Sequence, residues 1–597
     1  MHEARRLAEA KALYRQALEI QPSCEAWHGL GVLAREVGAL DAAARCLANA
    51  LALDPESPLA PDLLNEEADI LQQAGRLADA ATRLQTACRL RPIDSVAWER
   101  LGIVQQSLGD ISGASESYRR ACSIDARPGA RVKLATLVSP IIGSREAMEA
   151  ERARVDAELD TLLADDALHL DRPTDAAMWT NFYLAFHGRN DRALQIKYAA
   201  LYRRICPSLE YVAPHCVRSR GTGERIRVGL LSKFFHNHSI GRTSRGLFAG
   251  FARAEFDVTA IFVAPVIDDD YSRFIRQHAE RSVVVPEDLA AARSLIEALE
   301  LDVLFYQDIG MEPFSYLLAF SRLARVQCVS FGHPDTTGIP TIDYFVSNDL
   351  YETPAAQAHY SENLFLLHDL GSLACYYRPP VPQPGKPRAA FGLAADDHLY
   401  ICPQNLFKFH PDMDALIAGV LRRDPAGKLV VIEGRIESWT DLLRRRWAGV
   451  MPDVLDRIVF LPRQPSPDYV NLIGLADAML DTVHFNGMNT SLEAFSVGTP
   501  VVTLPGEFQR GRHTQAMYRK MAITECVAVD AAHYIDIAVR LGSDHACRRA
   551  IHQKIILRNG VLFEDMEVVR EFERFFREAV ARSEEGSAGD QAGRRGP

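Results

Sequence analysis

A chain of 597 residues is too long for one hydrophobic core, so its length predicts several domains. The formal net charge of −11 at pH 7 disfavours a nucleic-acid partner, because phosphate binding needs a basic surface. The eleven scattered cysteines, without a CxxC pair, indicate reduced thiols in the cytoplasm, and no apolar run approaches the roughly 18 residues that span a membrane.

The N-terminal segment repeats with a period near 34 residues. The pattern W-x-x-L-G occurs at Trp27–Gly31 and again at Trp98–Gly102, and aligned alanines lie at Ala17, Ala50, Ala87 and Ala121. This spacing is typical of tetratricopeptide repeats, although an all-α bundle with accidental spacing is the alternative. We predict an α-solenoid over residues 1–127, whose concave groove would bind a peptide or protein partner. The repeats alone would support only a scaffold function.

Residues 128–222 keep a helical pattern without the period, and we interpret them as a connector that packs against the next domain. From residue 226 short apolar strands alternate with helices, which predicts parallel sheets with crossover helices. A proline-rich linker begins at residue 379, so we predict two Rossmann-like halves, at 223–378 and at 379–583 with a closing helix at Val568–Ala581. The composition of residues 584–597 predicts a disordered tail. Neither GxGxxG nor GxxxxGK[ST] occurs in the halves, which disfavours a dehydrogenase and a P-loop enzyme.

The strands of each half can be assigned from these apolar runs. In the first half we predict Ile226–Ser232, Asp257–Ala264, Ser282–Pro286, Asp302–Asp308, Val326–Phe331 and Tyr344–Ser347. In the second half we predict His398–Gln404, Lys428–Glu433, Arg457–Leu461, Ala478–Asp481, Pro500–Leu504 and Cys526–Val529. Two such sheets place a ligand cleft at their carboxyl edges.

The most informative turn follows the strand that ends at Asp481. It contains Gly487, and a helix is expected to begin near Thr490, with small polar residues at Asn489, Thr490 and Ser491. The free N–H groups and dipole of a helix start favour a diphosphate, and Glu493 one turn later could bind ribose hydroxyls. The alternative is a capping box in which Glu493 folds back on Thr490.

A second candidate segment follows the first strand of the second half and carries Gln404 and Lys408. A lysine at this cleft edge could neutralise the departing β-phosphate of a nucleotide, in place of a metal ion. The alternative is a solvated lysine at a helix start.

Three further segments carry candidate chemistry. His238 follows the first strand, where a histidine that faces the cleft would be suited to proton transfer, whereas a metal site with His236 lacks a third ligand. The loop of His333, Pro334, Thr336 and Thr337 could bind an anion or the acceptor, or could simply be a Pro/Gly turn. The acidic triplet Asp268–Asp270 runs into a helix, where carboxylates complement the dipole, so we expect no metal there.

With these motifs, the chain resembles glycosyltransferase family 41, which contains the O-linked N-acetylglucosamine transferases and Spindly-type proteins. The resemblance covers the repeats, the connector NFYLAFHGRNDRALQ and both halves, through RVGLLSKFFHNHS, GHPDTTGIPTIDYFVSND, ICPQNLFKFHP and LADAMLDTVHFNGMNTSLEAFSVGTPVVTLPGE. It implies a GT-B arrangement and inverting sugar transfer without metal or cofactor. Carried over residue by residue, it implies an active-site histidine at His238, the diphosphate lysine at Lys408, a nucleotide contact at Gln404, the phosphate-binding helix start at Asn489, Thr490 and Ser491, the ribose carboxylate at Glu493 and a donor contact at Arg512.

Two departures from the family pattern leave the sugar open. Met488 stands where the transferases of N-acetylglucosamine usually have histidine, and His333 replaces the usual tyrosine. We expect transfer from a nucleotide sugar, with UDP-N-acetylglucosamine favoured, to Ser or Thr of a protein bound along the repeats. The alternatives are a Spindly-like fucosyltransferase that uses GDP-fucose and a non-catalytic repeat scaffold. The sequence leaves the oligomeric state open.

Overall fold

The computed structural model describes residues 2–55, 57–171, 173, 180–218, 220–221, 223–381 and 384–593. The chain forms two compact units. The first, which we call the repeat unit, comprises residues 1–141 together with Gly434–Leu442. The second, which we call the α/β unit, comprises Ile142–Glu433 and residues 443–597. Within the described residues, no helix is both long and apolar enough to cross a bilayer.

The repeat unit is built from antiparallel helix pairs. Glycine lets the two helices of a repeat approach closely, because a Cβ at Gly102 would lie 2.6 Å from the Tyr118 ring and one at Gly31 would lie 3.1 Å from Leu47. These are the glycines of the two W-x-x-L-G patterns. The helices are α1 (His2–Ile20), α2 (Cys24–Glu36), α3 (Leu40–Leu53), α4 (Ala60–Gln73), α5 (Leu77–Leu90), α6 (Ser95–Leu108), α7 (Ile111–Ile124) and α8 (Pro128–Ala135).

Gly434–Leu442 completes the repeat unit from a distant part of the sequence. The Ser438 hydroxyl donates to the carbonyl of Leu108 at 2.7 Å, and Trp439 Nε1 donates to the carbonyl of Ser107 at 2.8 Å. These bonds satisfy carbonyl groups in the last turn of α6, which has no later turn to bond to. No sequence pattern indicates the role of this segment.

The α/β unit contains two parallel sheets. The seven-stranded sheet has the order β4-β3-β2-β5-β7-β8-β9, and β1 pairs with β6 in a short ladder of its own. The seven strands of the sheet are β2 (Ile226–Ser232), β3 (Phe256–Val263), β4 (Arg281–Val285), β5 (Val303–Tyr306), β7 (Val326–Val329), β8 (Tyr344–Asn348) and β9 (Asn363–Leu367), and the two strands of the short ladder are β1 (Tyr211–Val212) and β6 (Ser321–Arg322). The helices before and around it are α9 (Arg145–Leu163), α10 (Arg192–Ile205), α11 (Ser239–Gly250), α12 (Asp270–His278), α13 (Leu289–Glu297) and α14 (Pro313–Leu318).

The five-stranded sheet has the order β12-β11-β10-β13-β14, again with parallel pairing. The strand order reverses between β10 and β13, so the loops after these two strands lie side by side. The strands are β10 (His398–Cys402), β11 (Gly427–Ile432), β12 (Ile458–Leu461), β13 (Ala478–Leu480) and β14 (Val501–Val502). The helices are α15 (Pro411–Arg423), α16 (Glu437–Val450), α17 (Ser466–Leu475), α18 (Asn489–Ser496), α19 (His513–Lys520), α20 (Ala531–Ser543), α21 (His545–Arg558) and α22 (Met566–Gly593).

The predicted fold class, an α-solenoid followed by two Rossmann-like α/β domains, is confirmed. Two predicted elements differ in detail. The strand expected at Cys526–Val529 is reduced to a single bridge between Thr503 and Val527, because it pairs only where it meets the end of the sheet. The last helix, α22, continues to Gly593, beyond the predicted end at Ala581.

The helix α22 packs on the first half of the α/β unit, although the second half precedes it in sequence. Phe572 and Phe576 lie in the same buried cluster as Phe256 and Phe305 of the seven-stranded sheet. Residues 222, 382–383 and 594–597, which belong to the predicted connector, linker and tail, lie outside the described residues, as does Trp179 of the connector.

Candidate functional site

Lys408 lies against the turn that follows β13. Its ammonium group donates to Gln404 Oε1 and to the Asn486 carbonyl, both at 3.0 Å, and lies 4.7 Å from the centre of the Phe485 ring. Burial lowers the pKa of Lys408 to about 8, while the Asp481 carboxylate acts in the opposite direction. The predicted partners Gln404 and Lys408 are therefore brought together with the predicted phosphate-binding turn.

The turn itself is held by Asp481 and Gly487. The Asp481 carboxylate accepts from the Gly487 amide at 3.0 Å and from the Thr503 hydroxyl at 2.9 Å, and its burial raises its pKa to about 6. A Cβ at Gly487 would lie 2.1 Å from Gln404 Nε2. A side chain at position 487 would therefore have to displace Gln404 or the turn.

The helix start at Asn489 is open to an anion in this conformation. Met488 occupies the N-cap, and in the described structure no side-chain hydrogen bond caps α18. The first-turn amide groups and the positive end of the dipole are consequently available to a negatively charged ligand. The predicted alternative, a capping box between Thr490 and Glu493, is wrong, because the helix begins one residue earlier and Glu493 bonds elsewhere.

The residues predicted at this helix start have protein partners, which for Thr490 is the side chain of Tyr469. The Ser491 hydroxyl is fully buried, donates to the Gly487 carbonyl and lies 2.8 Å from the Thr514 hydroxyl, so its side chain braces the turn. The side-chain amide of Asn489 lies 3.5 Å from the Ser239 carbonyl of the first half.

Glu493 forms an ion pair with a residue that the sequence did not indicate. Arg242 Nη1 donates to Glu493 Oε1 at 2.9 Å, so α11 of the first half is linked to α18 of the second. Burial raises the pKa of Glu493 to about 7, and Arg242 opposes that rise. A lone arginine four residues after His238 gives no sequence signal of a partner 251 positions away.

His238 caps α11 instead of standing free at the strand end. Its Nδ1 accepts a hydrogen bond from the Ile240 amide at 3.3 Å, and its ring stacks on Phe234 with centroids 4.5 Å apart. An Nδ1 that accepts a hydrogen bond leaves the proton of the neutral ring on Nε2. In this tautomer Nε2 is a hydrogen-bond donor.

The loop of His333 is occupied by the protein's own contacts. His333 is buried and stacks on Phe182, and burial lowers its pKa to about 3. Glu362 accepts from the Thr336 hydroxyl at 2.7 Å and from the Thr337 amide at 2.8 Å. In this conformation the hydroxyl groups of the loop that includes Pro334 are directed at Glu362, which agrees with the alternative interpretation of a structural turn.

Arg512 is likewise directed at the protein, since it donates to the carbonyls of Tyr351 and, at 2.9 Å, Gly506. Its neighbour Arg510, which the sequence analysis missed, is almost fully buried. It pairs with Asp191 at 2.9 Å and with Asp335 at 3.3 Å. This network fixes the connector and the His333 loop to the segment after β14.

Two side-chain clusters have the composition of metal sites. Asp269 caps α12 in a capping box with Ser272, as expected for a helix start. His410, Asp412 and His484 place potential ligand atoms within 4.8 Å of one another. There, however, His410 Nδ1 accepts from the Asp412 amide, and the Asp412 carboxylate is shared between His484 and Arg145. The cluster is therefore a hydrogen-bonded network in which His410 Nδ1 and both oxygens of Asp412 have protein partners, whereas His410 Nε2 is buried without one.

A lysine and an open helix start lie together after β10 and β13, where the strand order of the parallel sheet reverses and where sheets of this kind bind ligands. Residues 384–568 match the model of the family Glycosyl transferase family 41, and residues 96–128 match a tetratricopeptide repeat. The second half of the α/β unit is therefore similar to glycosyl transferase family 41, and the end of the repeat unit is similar to a tetratricopeptide repeat.

Relatives include plant and bacterial proteins. The probable UDP-N-acetylglucosamine–peptide N-acetylglucosaminyltransferase SEC of Arabidopsis thaliana is 25% identical over 338 residues, which cover 55% of this chain and 33% of that protein. A protein of the same description, SPINDLY of Petunia hybrida, is 23% identical over 55% of this chain and 35% of its own length. The UDP-glucose:protein N-beta-glucosyltransferase of Actinobacillus pleuropneumoniae is 22% identical over 56% of this chain and 53% of its own. The match thus spans about a third of the plant relatives.

A solved structure supports the fold. A point mutant of the Thermobaculum terrenum O-GlcNAc transferase superposes with a TM-score of 0.70 at 22% identity, over 94% of this chain and 98% of that chain. At this identity the likeness shows the shared fold of repeats and α/β domains.

Proposed function

We propose that the protein is an inverting glycosyltransferase that moves a sugar from a nucleotide donor to Ser or Thr hydroxyls of a protein. The observation that carries the proposal is the bond from the Lys408 ammonium to the Asn486 carbonyl, directly before the uncapped start of α18. A cation and a helix dipole that converge on one turn suit the two phosphates of a nucleoside diphosphate. The family match of residues 384–568 supports the same conclusion.

The chemistry follows from charge. The acceptor oxygen attacks the anomeric carbon while the bond from that carbon to the diphosphate oxygen breaks, so negative charge grows on the leaving β-phosphate. Lys408 and the amides of α18 stabilise this charge, and the proposal therefore needs no metal ion. Because the hydrogen bond from the Ile240 amide to Nδ1 implies the tautomer with the proton on Nε2, we assign His238 as a hydrogen-bond donor. The acceptor proton then leaves to solvent or to a phosphate oxygen of the donor.

We favour UDP-N-acetylglucosamine as donor, because the plant relatives bear that name. Met488 presents a thioether where the family pattern has histidine, so one polar contact to the sugar is replaced by an apolar one. For this reason UDP-glucose and GDP-fucose belong in the same test. We further propose that the repeat unit binds the protein acceptor as an extended segment.

The test is release of UDP or GDP from each of the three nucleotide sugars, with and without EDTA. We expect turnover with one donor and no loss of turnover in EDTA. Strong inhibition by EDTA would contradict the metal-free proposal. Absence of release, together with no rise in melting temperature in UDP or GDP, would leave a non-catalytic scaffold. A nucleotide at about 100 times its Kd should add about 2.7 kcal/mol to stability.

Lys408→Ala sharpens the test of mechanism. We expect turnover to fall by roughly 10²- to 10³-fold with a much smaller change in donor affinity, because the charge is needed most as the diphosphate leaves. Steady-state kinetics with the active donor and calorimetric titration with UDP separate the two effects. Unchanged turnover would remove Lys408 from the mechanism.

A further inference from the structure

Arg242 is held in place by groups from both halves of the α/β unit. It lies in the first turn of α11, where Nε and Nη2 donate to Asn237 Oδ1 at 3.3 and 3.1 Å. Its Nη1 donates to Glu493 Oε1 in α18 at 2.9 Å. Three of its five N–H groups thus donate hydrogen bonds to Asn237 or Glu493, so the guanidinium has little freedom to turn away from Glu493.

Glu493 is a carboxyl group with little access to water. Its side chain is 5% exposed, and the titratable or charged groups that face it are Arg242, Tyr376 and Tyr469. Burial raises the pKa of both tyrosines, so neither is charged at neutral pH. Arg242 therefore supplies the positive charge that favours the ionised form of Glu493 against the cost of burial.

We infer that Arg242 is a positioning residue of the nucleotide site, which keeps the Glu493 carboxylate ionised and fixed so that it can accept hydrogen bonds from ribose hydroxyls. This inference rests on the proposed function. A carboxylate accepts hydrogen bonds at both oxygens, whereas a protonated carboxyl group gives up part of that capacity to its own O–H. Glu493 without Arg242 would be a poorer acceptor at neutral pH.

Protonation of Glu493 sets the expected pH dependence of binding. Glu493 loses its proton as pH rises through about 7, so nucleotide affinity in the wild type should fall as pH drops below that value. Without the guanidinium, burial acts alone and the pKa of Glu493 moves higher. The pH at which affinity is lost should therefore rise.

The experiment measures the Kd for UDP by calorimetry between about pH 6 and 9, with GDP as the probe if UDP does not bind. The variants are Arg242→Met, Arg242→Lys and, as a matched control on the same helix, Arg245→Met, which removes a cation that lies over Tyr271 and Tyr377. In Arg242→Met the acidic limb, which is the fall in UDP affinity at low pH, should move up by about one pH unit or more. UDP should also bind about tenfold more weakly at neutral pH. Arg242→Lys and Arg245→Met should keep the wild-type limb. Titration of the UDP phosphate is common to all variants and cancels.

Two outcomes separate the inference from the proposed function. If the wild type binds neither UDP nor GDP, the proposed function fails. If the wild type binds and Arg242→Met keeps the wild-type limb, the inference is overturned while the proposed function stands. Should Arg242→Met not fold, as judged by circular dichroism, Glu493→Gln replaces it. That variant should lose the acidic limb, and a limb that persists would overturn the inference.

Discussion

The charge of Lys408 depends on a balance between burial and the nearby Asp481 carboxylate. Because burial lowers its pKa to about 8, the ammonium of the free protein is lost as pH rises through that value. We expect kcat/KM for the donor to fall as the pH rises, with an apparent pKa of about 8. Lys408→Arg, which stays charged, should abolish this limb even if its activity is lower. An alkaline limb unchanged in Lys408→Arg would assign it to another group.

Gly487 is required by a contact that no local pattern reveals. A methyl group there would lie 2.1 Å from Gln404 Nε2, so Gly487→Ala must displace either the turn or the side chain that accepts the Lys408 hydrogen bond. Overpacking of this kind costs about 1 to 3 kcal/mol, and we expect UDP affinity to fall roughly tenfold or more.

The control is Gly506→Ala, in the loop after β14, where a Cβ would meet nothing within 4 Å. It should leave affinity unchanged. Equal losses of UDP affinity in the two variants would show that an added methyl group weakens binding for a reason other than the contact with Gln404. Calorimetric titration with UDP checks both.

At the scale of residues, the sequence predicted which side chains lie together where those side chains directly follow the end of a strand. Gln404 and Lys408 follow β10, and the turn of Asn486 follows β13, so parallel pairing alone brings them to one edge. The sequence did not predict contacts between side chains that lie far apart along the chain. The spacing of Thr490 and Glu493 fits a local capping box, but the carboxylate is taken by Arg242, and no periodicity encodes a contact between different halves.

At the scale of elements, the sequence predicted the strands but not their order. Alternating apolar runs identify β2, β3 and β10, whose observed bounds agree with the predicted ones to within two residues. The reversal between β10 and β13 is instead set by packing in three dimensions. The buried network of Arg510 illustrates the same limit, since its partners come from the start of α10 and from the His333 loop.

Arg510 offers a test of how these elements are joined. Its side chain is 4% exposed and serves two buried carboxylates, Asp191 and Asp335. Arg510→Met would leave both without this partner, and we expect the free energy of unfolding to fall by about 3 to 5 kcal/mol. Urea unfolding followed by circular dichroism measures it.

The matched control is Arg273→Met, which breaks exposed pairs with Asp268 and Asp270. An exposed ion pair contributes about 0 to 1 kcal/mol, so little change is expected. A loss from Arg510→Met no larger than that of the control would mean that the network is not needed for stability.

At the scale of the whole molecule, the repeat unit is not continuous in sequence. Its period predicted helices up to about residue 127, whereas the unit extends to Ile141 and takes in Gly434–Leu442. Repeat periodicity reports on neighbours one repeat away, so it cannot indicate a segment that arrives from a distant part of the chain. The carbonyls at the end of α6 are satisfied by this segment.

Variants of two tryptophans in α16 can distinguish the unfolding of the repeat unit from that of the α/β unit. Trp439 Nε1 donates to Ser107 in the repeat unit, and Trp447 Nε1 donates to Asp414 in the α/β unit, each at 2.8 Å.

Because each unit is compact, we expect two calorimetric transitions, of which only the one from the α/β unit rises in UDP. Trp439→Phe removes one hydrogen bond and part of a buried ring, and should lower the UDP-insensitive transition by a few degrees, equivalent to about 1 to 3 kcal/mol. Trp447→Phe should lower the UDP-sensitive one. The reverse assignment, or a single transition that both variants lower equally, would show that the repeats and the nucleotide site unfold as one cooperative body.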